Sequence, residues 1–459
     1  MKDESAPSRS GGWLDRVLLG GFVAALLLIS FLAGSLLMAS KVFPGPQIAR
    51  AYEGGRALYA KLTAYDDVYA SDLWYPARTD RKGVTGSVAD AMQPGLTLYT
   101  SGPEAHLIDA EGKVVHRWHR PYSTAWPDGS GVRNPQPDSH VYFRKAVPFP
   151  NGDLLVVYEG VGDTPYGYGL VKLDRDSNVI WRYGGRTHHN VDVGADGRIY
   201  VLTHEIVQER LEGFDNLATA RLEDYLVVLS PDGEELHNIP LTPIVARSPW
   251  RHLVHTVSSY SIADPLHTND VDPLDKPETA AFQHAGPGKV LLSFRELGAI
   301  GVLDIESEQM TWMARGPWIG QHDPDVLPNG HIILFDNYGN FAVPEGRSRV
   351  LEFDPSTYEI VWEYPGTPER PFDSDIRSSQ QRLSNGNTLI TESNAGRIFE
   401  VTQDGEIVWE FVNPRRGGDG EAMVAIVCFA QRVPEDYFDS SFLVALGIGS
   451  PSPDLQEES

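Results

Sequence analysis

The sequence predicts an all-β fold, a six-bladed β-propeller, preceded by one N-terminal transmembrane helix. Three observations predict it: a strand repeat in two halves, Asx-Gly turns that punctuate that repeat, and one long uncharged apolar span. Residues 1–16 read as a short polar tail. Residues 17–39, Val17 to Ala39, carry no charge. As a helix such a span rises roughly 35 Å, enough to cross a hydrocarbon core of about 30 Å. The apolar region of a cleavable signal peptide runs to only about 7–15 residues, which favours a retained anchor over cleavage near Ala39-Ser40. Basic residues flank both sides (Lys2, Arg9 and Arg16 against Lys41, Arg50 and Arg56), so flanking charge gives orientation little weight. No later segment is long and apolar enough to return the chain, and the expected topology is N-terminus inside, C-terminus outside.

Residues 40–94 form a juxtamembrane stretch. Ile48, Ala51, Tyr52, Leu58, Tyr59 and Leu62 recur near helical spacing within about 45–76, and Gly83 to Pro94 is a turn-rich linker. The propeller is expected over 95–433. The first half of its repeat is a polar opening, a turn such as Pro-Asn-Gly, then an apolar strand: Phe149-Pro-Asn-Gly152-Asp-Leu-Leu-Val-Val, Gly197-Arg-Ile-Tyr-Val, Gly330-His-Ile-Ile-Leu and Gly386-Asn-Thr-Leu-Ile. The second half is strand, turn, strand, often closing on tryptophan, as in Leu107 to Trp118, Val171 to Trp181, Val302 to Trp312, Leu351 to Trp362 and Ile398 to Trp409, with Leu226-Val-Val-Leu-Ser-Pro-Asp-Gly as a sixth case. Asx-Gly between alternating apolar runs is a strong hairpin signal. Four short strands per unit of about forty to fifty residues is the pattern of a propeller blade. Residues 434–459 read as a C-terminal tail, polar and acidic from Pro451.

Three histidines stand at corresponding places in the repeat. His189 precedes Gly197 by eight residues and His322 precedes Gly330 by eight; His267 opens a third unit, His267-Thr-Asn269-Asp270, that reaches Gly288 only after an inserted loop. Equivalent positions in a cyclic repeat point at one place, so these side chains should converge on the axis. At the same phase Gly152 gives Arg144, placed to bind a sulfate, and Gly386 gives Ser378.

The net charge of −25 excludes nucleic acid as a natural partner, because contacting phosphates needs a basic surface. The single cysteine, Cys428, rules out an intramolecular disulfide and reads as a small buried apolar residue.

The motifs His188-His189-Asn-Val-Asp, His267-Thr-Asn269, Leu292-Ser-Phe-Arg295, Gly320-Gln-His322-Asp and Gln381-Arg-Leu-Ser-Asn-Gly-Asn-Thr-Leu-Ile, in this order and spacing, resemble the bacterial arylsulfate sulfotransferases over roughly residues 95 to 412. That resemblance implies a six-bladed propeller acting in the periplasm. It implies transfer of a sulfuryl group from an aryl sulfate donor to a phenolic acceptor, without PAPS (the nucleotide sulfate donor), through a sulfated histidine in a ping-pong cycle. By motif match the nucleophile falls on His322, the His-x-Asn pair on His267 and Asn269, the site arginine on Arg295, and a further histidine on His189, with His188 beside it as a substrate contact. The chain departs from the family's type members, which have a leader peptide and a disulfide.

Elementary chemistry assigns the same roles. A loose sulfuryl-transfer transition state spreads negative charge over its equatorial oxygens, so it needs fixed cations and donors. Arg295 offers a permanent donor fork and Asn269 an amide. A neutral histidine is a competent nucleophile, and a second can exchange the phenol's proton. Trp318 and Phe294 are candidates to line an aryl pocket. The expected partners are an aryl sulfate, a phenol and the membrane; no cofactor or metal is expected, and a homodimer is compatible with the sequence.

Two other classes fit the same pattern less fully. One is a metal-dependent propeller hydrolase in which Asp192, Asp270, Asp272, Asp323 and Asp325 join the histidines around a cation. The other is a non-catalytic binding propeller tethered to the membrane.

Overall fold

The computed structural model describes residues 12–40, 43–45, 47, 67–128, 131–341, 343 and 346–448. The chain divides into two units, residues 1–66 and 67–459. Of the first, the described part is one α-helix, Gly12–Ser40, whose apolar side chains are exposed along its length and which is long and apolar enough over Gly12–Leu37 to cross a membrane. The helical spacing read within 45–76 falls mostly on residues outside those described.

The second unit is a β-propeller of antiparallel sheets. Six of them have four or five strands, four being up-and-down meanders of consecutive strands and two borrowing one strand from the other end of the chain. The innermost strands of the second to sixth sheets are Val141–Pro148, Thr187–Val193, Thr268–Pro273, His322–Val326 and Ser379–Arg382. The first sheet takes its innermost strand, Phe429–Val433, from the far end of the chain, paired to Leu96–Thr100. The last sheet takes its outermost strand, Gly83–Ser87, from the near end, paired to Ile407–Val412. Segments from both sides of the propeller sequence therefore close the ring. The segment after residue 83 that reads as linker is thus partly strand. Its glycines and small polar residues carry no apolar alternation, and the pairing with Ile407–Val412 is what makes it extended.

Residues 434–459 also begin as structure. Phe438 and Phe442, the latter in the helix Ser440–Ala445, are buried beside Trp118. Gly152 sits at φ 87°, and a Cβ there would lie 2.5 Å from the Phe442 ring, so this turn needs glycine for conformation and for space. Burying Phe442 is worth about 1.5–3 kcal/mol. Outer-strand tryptophans staple neighbouring sheets: Trp118 Nε1 donates to Gly152 O (3.0 Å), Trp362 to Gln403 O (2.8 Å), and Trp409 to Ala110 O (2.9 Å), the last across the closure. Cys428 is fully buried, as expected, and burial pushes its thiol up to about 11.

Candidate active site

The innermost strands of all six sheets contribute to one axial cavity. Its walls are Arg144 and Lys145, His189 and Asn190, Asn269 and Asp270, His322 and Asp323, Ser378 and Ser379, and Phe429. The gap between them is about 10 Å³, the room of one water molecule. His189 lies with its ring centroid 4.9 Å from that of His267 and 6.3 Å from that of His322. The bulges at the starts of these strands turn the side chains inward: pairing shifts between His188 and Val191, Thr268 and Asp270, and His322 and Asp325. His189 (φ 54°), His267 (φ 45°) and Ser378 (φ 76°) hold left-handed backbone, a conformation uncommon for such residues and frequent at functional sites.

His322 is held in one tautomer. Its Nδ1 faces two acceptors, Gly320 O at 3.0 Å and Asn337 Oδ1 at 2.8 Å. The Asn337 amide is oriented by its own donations to Ser374 O and Arg377 O, so the oxygen must face the histidine. Nδ1 therefore carries the proton, and Nε2 keeps its lone pair. Burial, then Arg144 and Arg295, hold the ring well below the usual histidine range and so neutral. Gly320 (φ 68°) is what turns that carbonyl toward the ring. Gln321 anchors the segment from behind, its amide donating to Ser293 Oγ, Phe294 O and Ala299 O.

His267 is the opposite case. Burial disfavours its charge, but the Asp264 carboxylate, 2.5 Å from Nδ1, outweighs burial and raises it above the usual value. Arg295 follows the strand Lys289–Phe294; its backbone N–H donates to His267 O (3.3 Å) and its guanidinium pairs with Glu296. Arg295 lines a larger cavity, about 800 Å³, next to Gly320, with Arg315, Trp318, Tyr338 and Phe341. Trp318 thus borders a cavity, whereas Phe294 is fully buried in the core between sheets. Asn269 donates to Gln321 O (2.7 Å), and its Oδ1 is buried without a partner. Arg144 is buried beside Glu159, 3.8 Å away, and donates to Cys428 O at 3.5 Å. His188 is enclosed behind His189, off the cavity wall, with the two Nδ1 atoms 2.8 Å apart.

The axial aspartates do not gather like ligands. Among the described residues, no three of Asp192, Asp270, Asp272, Asp323 and Asp325 bring their oxygens within 4.8 Å of one another. They are partnered instead: Lys276 with Asp192 (2.5 Å) and Asp272 (3.6 Å), Asn190 with Asp270, and Gln380 with Asp323 and Asp325. Burial pushes Asp270 and Asp325 well above the carboxylate range and Asp272 up to about 7, each helped by a neighbouring aspartate.

Several residues that build the site are absent from the first-strand pattern, yet the sequence holds a signal for them. Seven residues after each turn glycine stand Glu159, His204, Arg295, Asn337 and Ser393, at the end of the second strand. Glu159 Oε1 accepts the His189 N–H (2.6 Å), Asn337 sets the His322 tautomer, and Ser393 Oγ accepts the Ser378 N–H (2.9 Å). Asp264, three residues before His267, belongs to the inserted loop and to no repeat phase.

Over residues 145–414, more than half of its length, the chain matches the family described as Arylsulfotransferase (ASST), and it belongs to that family. No curated protein matches it. Solved structures are similar in fold only. They include a protein of unknown function from Bacteroides caccae (11% identity, 70% of this chain and 94% of the other, TM-score 0.44). Another is the virginiamycin B lyase of Staphylococcus aureus (11%, 59% and 69%, TM-score 0.32). A third is the β-propeller domain of Cps50 (Swd1) from Myceliophteria thermophila (9%, 76% and 100%, TM-score 0.41).

Proposed function

We propose that this protein moves a sulfuryl group from an aryl sulfate ester to a phenolic acceptor in two half-reactions, with His322 as the nucleophile and no nucleotide donor. The observation that carries the proposal is the His322 tautomer: a neutral ring with Nδ1–H engaged twice and Nε2 free. In the first half-reaction Nε2 attacks sulfur, the S–N bond forms, and the S–O bond to the aryl oxygen breaks. In the second, an acceptor phenol gives up its proton and its oxygen takes the sulfuryl group from His322. Protonated His267, Arg295 and Arg144 supply positive charge for the sulfuryl oxygens, and the Asn269 amide adds a polar contact. His189, on the cavity wall between His267 and His322, exchanges the phenolic proton. The cavity bordered by Trp318, Tyr338 and Phe341 takes the aryl group.

The N-terminal helix is proposed as a retained single-pass anchor in the inner membrane, with the propeller on the periplasmic or outer side. The domain limits follow: an anchor over 17–39 and a catalytic propeller whose core is 95–433.

Turnover of 4-nitrophenyl sulfate with and without added phenol tests the activity. Phenyl sulfate should form, with parallel double-reciprocal lines as either substrate is varied. Release of inorganic sulfate at an acceptor-independent rate would refute transfer and favour hydrolysis.

A further inference from the structure

Behind His189 lies a buried chain of polar groups that the two half-reactions above leave unused. His188 is fully enclosed, its Nδ1 2.8 Å from His189 Nδ1 and its Nε2 3.7 Å from Asp224 Oδ1. His188 Nε2, Asp224 Oδ1 and His204 Nδ1 are all buried without a hydrogen-bond partner, and each of the three residues brings a ring nitrogen or carboxylate oxygen within 4.8 Å of the others. Asp224 is fixed by its other oxygen, which accepts the Thr268 N–H at 2.7 Å. It stands across the ladder from His204, whose ring stacks on His188 at 4.3 Å. Tyr166 packs edge-on against His188, His189 and His204.

Such a trio invites a metal, but the tautomers oppose it. His204 Nε2 accepts the Gly167 N–H (3.1 Å), so its proton sits on Nδ1, and that nitrogen has no lone pair to offer. The same logic runs outward. When Asp224 is ionised it calls for His188 Nε2–H; His188 Nδ1 then accepts from His189 Nδ1–H, and His189 Nε2 presents a lone pair to the cavity. When Asp224 is protonated every bond reverses, and His189 Nε2 presents a proton.

We propose that Asp224, His188 and His189 form a proton relay that stores, on the buried carboxyl group, the proton exchanged between the two half-reactions. The proposal rests on the sulfotransfer reading. As the donor's S–O bond breaks, His189 Nε2–H gives its proton to the leaving aryl oxygen. His188 Nδ1–H passes to His189 Nδ1, Asp224 O–H passes to His188 Nε2, and Asp224 is left as carboxylate. The acceptor phenol's proton returns by the same path when its oxygen attacks sulfur, so charge and protons balance over the cycle. Burial, then the nearby Asp264, raises Asp224 to about 7, which lets it change state at working pH. Asp224 and His188 are positioning residues; His189 is the group that meets substrate. At 3.7 Å the His188–Asp224 contact is long for a hydrogen bond, as catalytic contacts often are before substrate binds.

The test compares donor-alone burst rates on 4-nitrophenyl sulfate, whose leaving phenolate needs no proton, with those on phenyl sulfate, whose leaving group does. Asp224→Asn keeps its oxygen on Thr268 N–H and turns its NH2 to His188, which locks His189 as Nε2–H and breaks the return path. The ratio of phenyl to nitrophenyl rates should fall about 10²-fold or more, as loss of general acid–base catalysis does, and likewise in His188→Gln. ¹⁵N shifts of His189 should show the Nε2–H form alone in Asp224→Asn, against a mixture in the wild type. Equal losses on both donors, an unchanged His189 tautomer, or one bound zinc per chain whose removal reproduces the loss would overturn the relay. A wild type that turns over neither donor would instead refute the sulfotransfer reading, and the relay with it.

Discussion

His322 and His267 both lie against His189, yet their proton affinities are shifted in opposite directions, and one neighbour separates them. At His322 the partner is the neutral amide of Asn337; burial and two arginines win, and the ring stays neutral. At His267 burial is outweighed by the Asp264 carboxylate, which raises the ring's hold on a proton. An amide against a carboxylate shifts two rings of one residue type in opposite directions, and in the proposed cycle that separates the nucleophile from a charge-bearing donor.

The comparison can be broken from either side. Among changes to the neighbours of the two histidines, the largest effect should come from removing the charge that both feel: Arg295→Ala should slow the donor-alone burst by about 10²–10³-fold in stopped-flow, the usual cost of one charge-stabilising donor. Asn337→Asp gives His322 the kind of neighbour that His267 has. A carboxylate favours imidazolium and should raise the His322 pKa by about 1–3 units. Because the nucleophile is the deprotonated ring, activity then falls as pH drops through the raised value and recovers as pH rises. The wild-type burst on 4-nitrophenyl sulfate, whose leaving group needs no proton, should keep its rate as pH falls through the ordinary histidine range near about pH 6.5, because His322 is held low. Asp264→Asn makes the reverse change. His267 should lose its charge near neutrality, and the burst rate should fall roughly fivefold, since a charged donor's hydrogen bond is worth about 1 kcal/mol more than a neutral one's. Gly320→Ala should have the smallest effect. It places a Cβ at φ 68° and 3.0 Å from the Tyr338 ring, at a cost of about 1–2 kcal/mol in a urea melt.

What is legible in the sequence follows the turn glycines. A hairpin turn fixes the register of both strands it joins, so counting eight back from the glycine is enough to assign Arg144, His189, His322 and Ser378 to one cavity. Counting seven forward along the second strand reaches Glu159, Arg295 and Asn337 by the same logic. Asp264 and Asp224 lie beyond it. Asp264 belongs to the long insertion between the third and fourth sheets, and Asp224 to a third strand whose register depends on the nine-residue ladder Ile199–Val207. Composition likewise hides the strand Gly83–Ser87, because the pairing that makes it extended lies more than three hundred residues away.

The central claim is that His322 Nε2 carries the sulfuryl group between donor and acceptor. Enzyme mixed with excess 4-nitrophenyl sulfate and no acceptor should release one nitrophenol per chain and stall. Mass spectrometry at neutral pH should then find an acid-labile sulfuryl group on the peptide containing Gln321-His322-Asp323. His322→Asn should lose the label and at least about 10⁴-fold in transfer rate, as removal of a nucleophile does. Steady nitrophenol release from an unlabelled wild type, or transfer retained by His322→Asn, would contradict it.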